Sequence, residues 1–493
     1  MLYTSLSAIY DTSTEHILPD QSRNGNSVVA YGAPELVGEA REPCDDETTV
    51  AHATILHPED AWEQLLHQAK AGDVFLLQKG IYQAEDKLWL PAGSANAPIT
   101  IKPYACATVT IRSSIRPHSY NIIAGVRLEA VGIDDTQWAI RIDGKNRAPL
   151  TEIVVRNNTI RGGTIDAIRV NDDVRNVTID GNSIDGGSQG HDIFITSSPP
   201  NSQTTEGPTL SILPDDITIS HNRLTKRYFS SASEDMFQVR DVGIITFTHN
   251  TCADGLNMEQ CVDIKTTTVP IRITHNLFAG DTLHQTGRGE DGAGGCMVIH
   301  ESDAVADQHL IEHNFFYHCQ GTVIRFSPGE GDTRSSALFQ SNVLVQAPHE
   351  TQIIPIETAT NLHFRQNTVI FGKLKLGNSD RTRLPTALLF QHNIFYQTEI
   401  EDHLPPSTAA YICAYNLLYQ LQGDGFTAAP CSATITDDPL FVSVDLEDFH
   451  LQSISPALGS GEAGATLGAL PTATPPIALD QRLFLPLILS PTQ

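Results

Sequence analysis

The sequence predicts an all-β protein wound as a parallel solenoid, and three observations carry that expectation. Ten asparagines, Asn158, Asn182, Asn222, Asn250, Asn276, Asn314, Asn342, Asn367, Asn393 and Asn416, return in the same local pattern. Two longer intervals aside, their spacing is about 26 residues, a repeat length typical of a single supersecondary unit. Each unit alternates apolar and polar residues with period two, as in ITISHNRL (217–224) and LLFQHNIF (388–395), which is strand rather than helix periodicity. Stacked coils would join the apolar side of each strand into one bore at a spacing of about 4.8 Å. An Asn at one corner of every coil can form a ladder of amide hydrogen bonds and tolerate a left-handed turn. The histidines before Asn, at 221, 249, 275, 313 and 392, then read as a corner preference.

Composition narrows the function. The 493 residues carry 31 Lys+Arg against 58 Asp+Glu, a net charge of −27, with 40% hydrophobic and 18% charged residues. That charge argues against nucleic acid and against anionic lipid, which both need a basic surface. The longest apolar run, Leu483 to Leu489, is interrupted by Pro486, so no segment is expected to span a bilayer. Eight cysteines contain no C-x-x-C pair, and Cys413 with Cys431 closes a short loop, making it the expected disulfide of an exported protein. Residues 1–30 lack a basic region followed by an apolar one, so no signal peptide is readable. Residues 1–58 read as an irregular leader, 59–461 as the repeat domain, and 462–493 as a Pro/Thr-rich linker with an apolar tail.

Four stretches carry a family resemblance: AWEQLLHQAKAGDVFLLQKGIYQ (61–83), APITIKPY (97–104), the Asn repeats of 153–418, and DDPLFVSVDLEDFHLQSISPALGSG (437–461). They resemble right-handed parallel β-helix proteins of the pectate-lyase-like superfamily. The resemblance implies a right-handed parallel β-helix with a short N-terminal capping helix, in a secreted or cell-surface monomer. It does not choose an activity, because this fold hosts many.

Chemistry is sought where outward strand residues stack. Aligning DIFITSS (192–198), DMFQVRD (235–241), VDIKTTT (262–268), MVIHESD (297–303) and VIRFSPG (323–329) places Ile195, Val239, Ile264, Ile299 and Phe326 inward. One outward column then holds Thr196, Arg240, Lys265, His300 and Ser327. The other holds Phe194, Gln238, Asp263, Val298 and Arg325. A slip of one residue would exchange inside for outside. Stacked cations should lower the pKa of Lys265 toward that of a general base. Glu234, Asp235, Asp241, Glu259, Asp263 and Glu301 crowd nearby, enough oxygen to suggest Ca²⁺. The insertions 197–216 and 279–295, the latter with Arg288, flank the column.

The cluster resembles the active site of the alginate-lyase and chondroitinase-B-like polysaccharide lyases. On E-x-x-x-D-I-K (259–265) the resemblance implies Lys265 as base and Glu259, with Asp263, as candidate Ca²⁺ ligands; Asp235, among the crowded carboxylates, is a further candidate. The acid position falls on His300 where the family has Arg, with Arg288 and Arg325 as further candidates. Arg240 and Gln238 are the substrate-binding candidates. The implied reaction is β-elimination on an acidic, uronate-containing polysaccharide. Two other classes stay open: a non-catalytic glycan-binding β-helix, and an inverting glycoside hydrolase using Asp235 with Asp263 or Asp241.

Overall fold

The computed structural model describes residues 53–470 except 131–136, 145–148, 187–189, 198–212, 227–233, 266, 268, 281–282, 286–294, 301–307, 320, 327–335, 347–352, 380–383, 407–410 and 446, together with the backbone of two strands, 16–19 and 27–30. Leu483 to Leu489 and the Pro/Thr-rich stretch lie outside the described residues, as do Arg288, Glu301 and Ser327.

Three sheets of parallel strands run the length of the repeat region, each coil contributing one strand to each sheet. The first sheet runs from Ala53–Leu56 to Tyr411–Ala414, so it begins inside the segment read as leader. The second runs from Gly80–Gln83 to Leu417–Tyr419, the third from Leu88–Trp89 to Gln422–Gly423. The short helix Trp62–His67 turns Trp62 and Leu66 onto the end of the bore, Trp62 packing edge-on to Tyr82 at 5.4 Å. At the other end the antiparallel pair Phe441–Ser443 and Asp448–Leu451 packs Phe441 and Leu451 with Ile370 and Ile394 of the second sheet.

The bore is filled by one continuous apolar cluster. Equivalent positions stack from coil to coil, as in Phe278 on Phe316 at 4.6 Å and Phe339 on Phe364 at 5.0 Å. Offset aromatic stacking of this kind adds to what area burial contributes. Among the described residues, disulfides pair Cys252 with Cys261, Cys296 with Cys319, and, as expected, Cys413 with Cys431.

The asparagine ladder is continuous from Asn158 to Asn416. Asn250 is representative: its backbone N–H and its Nδ2 both donate to Oδ1 of Asn276, at 2.8 and 3.2 Å, and Nδ2 also donates to the Ile219 carbonyl. All ten are buried, so every buried amide finds partners. The left-handed corner, however, belongs to the residue before each Asn: φ is +52° at His221, +56° at His249, +57° at His275, +55° at His313 and +59° at His392. Histidine visits that region more readily than most side chains, which accounts for the recurring His-Asn. The rings of His221, His249, His275 and His313 stack at 4.9–5.1 Å.

A different histidine makes stability depend on pH. His309 is fully buried and its Nδ1 accepts the Ile271 N–H at 3.1 Å. Burial lowers its pKa to about 4. The unfolded chain takes a proton below about 6.5 that the folded one refuses, so stability falls as pH drops from about 6.5 to 4 and the loss levels off below. The full difference is about 3 kcal/mol. Melting temperatures of wild type and His309→Gln across that window should therefore converge toward acid; parallel curves would refute the assignment.

Candidate functional site

The third sheet positions the site, and its register is the one read from the sequence. Ile195 pairs with Val239, Val239 with Ile264, Ile264 with Ile299, and Ile299 with Phe326. All five are buried in the bore. Thr196 pairs with Arg240, and the backbone N–H groups of Lys265 and His300 continue the ladder by donating to the carbonyls of Val239 and Ile264. Arg240, Lys265 and His300 therefore occupy consecutive coils on the outer face, beside the row Phe194, Gln238, Asp263, Val298 and Arg325.

Asp263 is the hub. Its side chain is completely buried; Oδ2 lies 2.6 Å from Lys265 Nζ and Oδ1 lies 3.2 Å from His300 Nε2. Burial alone would raise its pKa, but the His300 hydrogen bond and the Lys265 ammonium outweigh burial and hold the carboxyl below its usual range. Lys265 and His300 are each 26% exposed, so both reach solvent above a buried anion. Gln238 donates from Nε2 to Asp235 Oδ2 at 2.7 Å and to Asp263 Oδ2 at 3.2 Å.

One electrostatic expectation is overturned. Stacked cations were expected to lower the pKa of Lys265. Burial does pull it down, but the Asp263 carboxylate in direct contact outweighs both burial and Arg240, and the pKa ends above the ordinary lysine value. An ion pair within hydrogen-bond distance beats a like charge one coil away. Lys265 is held protonated.

The donors expected for calcium do not form an oxygen cage. Asp263 faces Lys265 and His300, while Asp235, buried, accepts the Gln260 N–H at 3.2 Å and the Gln238 amide. Among the described residues no three His, Cys, Asp or Glu side chains gather around a common point. A cation is instead built into the chain beneath this row. Lys226, completely buried, hydrogen-bonds through Nζ to the carbonyls of Gly190, Glu234 (2.9 Å) and Asp235 (3.2 Å). Its charge acts on Asp192, Asp235 and Asp166. Asp263 and Asp235 are thus committed to partners in the chain and do not offer the gathered carboxylate oxygens that Ca²⁺ takes.

The Asp235–Asp263 pair also fails as a glycosidase pair on geometry. Asp235 and Asp263 are both completely buried and share one Gln238 amide nitrogen. Two short bonds to one atom hold these oxygens closer than the roughly 6.5–9.5 Å that an inverting pair needs for its water.

The structure also assembles residues upstream of the 192–329 strands. Asp166 accepts from His191 Nδ1 at 2.8 Å, from Arg169 Nη1 at 3.0 Å and from Trp138 Nε1 at 3.0 Å. Arg169 lies on the same outer face, on a coil preceding residue 192, and Asp166 at the start of its strand is completely buried. The signal was present in IRID (140–143) and IRVN (168–171), which continue the in–out alternation upstream. Lys226 was detectable too: it shares the inward side of its strand with Leu224.

No protein-family model and no curated protein matches the sequence. Solved structures do match by shape. A point mutant of the PL6 family alginate lyase AlyGC aligns with a TM-score of 0.52 at 15% identity, covering 86% of this chain and 59% of that one. This chain thus spans little more than half of that lyase. The fold is a right-handed parallel β-helix. A mannuronic-acid-specific polysaccharide family 6 lyase from human gut microbiota aligns over 75% of this chain and 87% of its own, with 12% identity and a TM-score of 0.47. A pectate lyase aligns over 85% and 96%, with 10% identity and a TM-score of 0.38. At these identities the likeness concerns the shape of the β-helix.

Proposed function

We propose that the protein is a polysaccharide lyase that cleaves a uronate-containing chain by β-elimination. The observation that carries this reading is the Asp263 carboxylate joined at once to the Lys265 ammonium and the His300 imidazole on a solvent-facing strand row. β-Elimination needs a base for the C5 proton, an acid for the departing oxygen, and positive charge beside the substrate carboxylate. The geometry favours exchanging the roles that the family resemblance implied. Lys265, held protonated, is suited to the acid, and His300, whose Nε2 lies 3.2 Å from Asp263 Oδ1, is suited to take the proton through its other ring nitrogen. His300 would take the proton from C5, the C5–H electrons form the C4=C5 double bond, the C4–O bond breaks, and Lys265 protonates the departing oxygen. Arg240, exposed on the preceding coil, and Lys265 would neutralise the uronate carboxylate. Arg325, one coil beyond Val298, would contact the neighbouring sugar.

The test is incubation with alginate, polygalacturonate and chondroitin, following the ultraviolet absorbance of the unsaturated product. New reducing ends without that absorbance would mean hydrolysis, and binding without either would mean a glycan-binding module. Because charge neutralisation is assigned to the chain's own cations, lyase activity is expected to survive exhaustive treatment with a chelator. Activity that vanishes with chelation and returns with Ca²⁺ would overturn that assignment.

A further inference from the structure

The outer face of the third sheet continues toward the N-terminal end as a second, cationic and aromatic row. Cross-coil register places Trp89 beside Arg116, then Arg141 beside Arg169, Arg169 beside Phe194, Phe194 beside Gln238, and Gln238 beside Asp263. Arg116 and Arg141 are neighbours because the residues before them, Ile115 and Ile140, pair. Three guanidinium groups thus stand on three consecutive coils of a protein whose net charge is −27. Like charges at that spacing repel, and the two nearest carboxylates only partly offset them: Asp143 holds Arg141 at 2.5 Å and Asp166 holds Arg169 at 3.0 Å. Arg116 instead hydrogen-bonds Ser114 Oγ at 2.6 Å.

The aromatic groups shape the row as well as line it. Arg141 lies over the Trp138 ring at 4.3 Å, and Arg169 over the Phe194 ring at 4.0 Å. A guanidinium laid flat on a ring is held without consuming all its N–H donors, leaving edges for a carboxylate. The side chains of Arg141 and Arg169 remain 30% and 21% exposed. At the far end Trp89 is 43% exposed, a large apolar surface of the kind that marks a binding site when it sits beside polar groups.

From these observations we infer that the row Trp89, Arg141, Arg169 is a binding track for an anionic polysaccharide chain, running along the solenoid axis into the Asp263 cluster. Six inter-coil steps separate Trp89 from Asp263, about 29 Å at the strand spacing of a sheet. A chain lying across the strands meets accessible guanidinium groups on two successive coils, at Arg141 and Arg169, Arg116 being buried, so uronate carboxylates are the chemistry recognised, and Trp89 stacks on a terminal sugar. The inference rests on the lyase reading of the Asp263 cluster for the chain's direction and not for the track's charge.

The experiment is calorimetric titration of Lys265→Ala protein with a uronate trisaccharide, a uronate octasaccharide and a neutral β-linked octasaccharide. The uronate octasaccharide is expected to bind about tenfold or more tightly than the trisaccharide, and this gain should shrink as salt rises. Arg141→Gln with Arg169→Gln should erase the gain, and Trp89→Ala, at a residue 43% exposed, should reduce it with an unchanged melting temperature. A gain that persists in both variants, no gain at all, or equal binding of the neutral octasaccharide would overturn the track. Length-dependent uronate binding lost in the variants, in a protein that yields no unsaturated product, would leave the track standing and sink the lyase reading. Lyase activity without the length gain would do the reverse.

Discussion

His300→Ala and Lys265→Ala are each expected to lower kcat by about 10²–10⁴ on the uronate polymer that the wild-type protein cleaves, the usual contribution of a positioned acid or base. Both side chains hang on Asp263, and the two effects should be far from additive, because removing either leaves the other without its counterpart. Retention of activity in either variant would remove that residue from the chemistry. Asp263→Asn separates position from charge. Asp263 holds Lys265 protonated, so wild-type activity should persist until pH rises past the ordinary lysine range. In Asp263→Asn the ammonium loses its partner and stays half-buried beside Arg240, so the alkaline limb should move to lower pH. An unchanged limb would mean that Lys265 is not the proton donor.

Asn276→Ala is expected to be the most damaging single change in the scaffold away from the site. The substitution removes the Oδ1 that accepts from both the N–H and the Nδ2 of Asn250, and the Nδ2 that donates to the Phe247 carbonyl at 3.0 Å. Asn250 is completely buried, so its backbone N–H is left without a partner, while its Nδ2 keeps the Ile219 and Thr248 carbonyls. A buried, unsatisfied group costs roughly 1–3 kcal/mol, so the loss should be about that size. In a solenoid each coil touches only its neighbours, so denaturation should become visibly multi-step and hydrogen exchange should quicken first in the coils around 250 and 314. A cooperative transition shifted by less than 1 kcal/mol would show the ladder to be dispensable.

The solenoid was legible because it is written redundantly. Ten repeats of one corner, each with the same in–out alternation, leave no other way to bury Ile219, Phe247, Ile273 and their equivalents on one side. The same alternation correctly placed Arg240, Lys265 and His300 on successive coils and Asp263 beside them. It did not reveal which residue takes the left-handed corner, since His and Asn are adjacent and either tolerates that backbone. Nor did it single out Arg116, Arg141 and Arg169, although their alternation matches, because an outward arginine on a strand reads the same whether it stands alone in solvent or beside a neighbour on the next coil.

What local pattern cannot encode is the distance between side chains whose rotamers are chosen by their neighbours. Sequence spacing put Lys265 in a column of cations and implied a lowered pKa. Tertiary structure turned its ammonium onto Asp263 at 2.6 Å and reversed the shift, because Coulomb energy falls with separation and the opposite charge is nearer. Spacing likewise gathered enough carboxylates for calcium, whereas packing committed Asp263 to Lys265 and His300 and sank the Lys226 ammonium beneath Asp192 and Asp235. The period-two alternation of the chain, by itself, determined the β-helix and which face carries the charged rows. Only the packing of that face decided which charges meet, and so which residue can give a proton and which can take one.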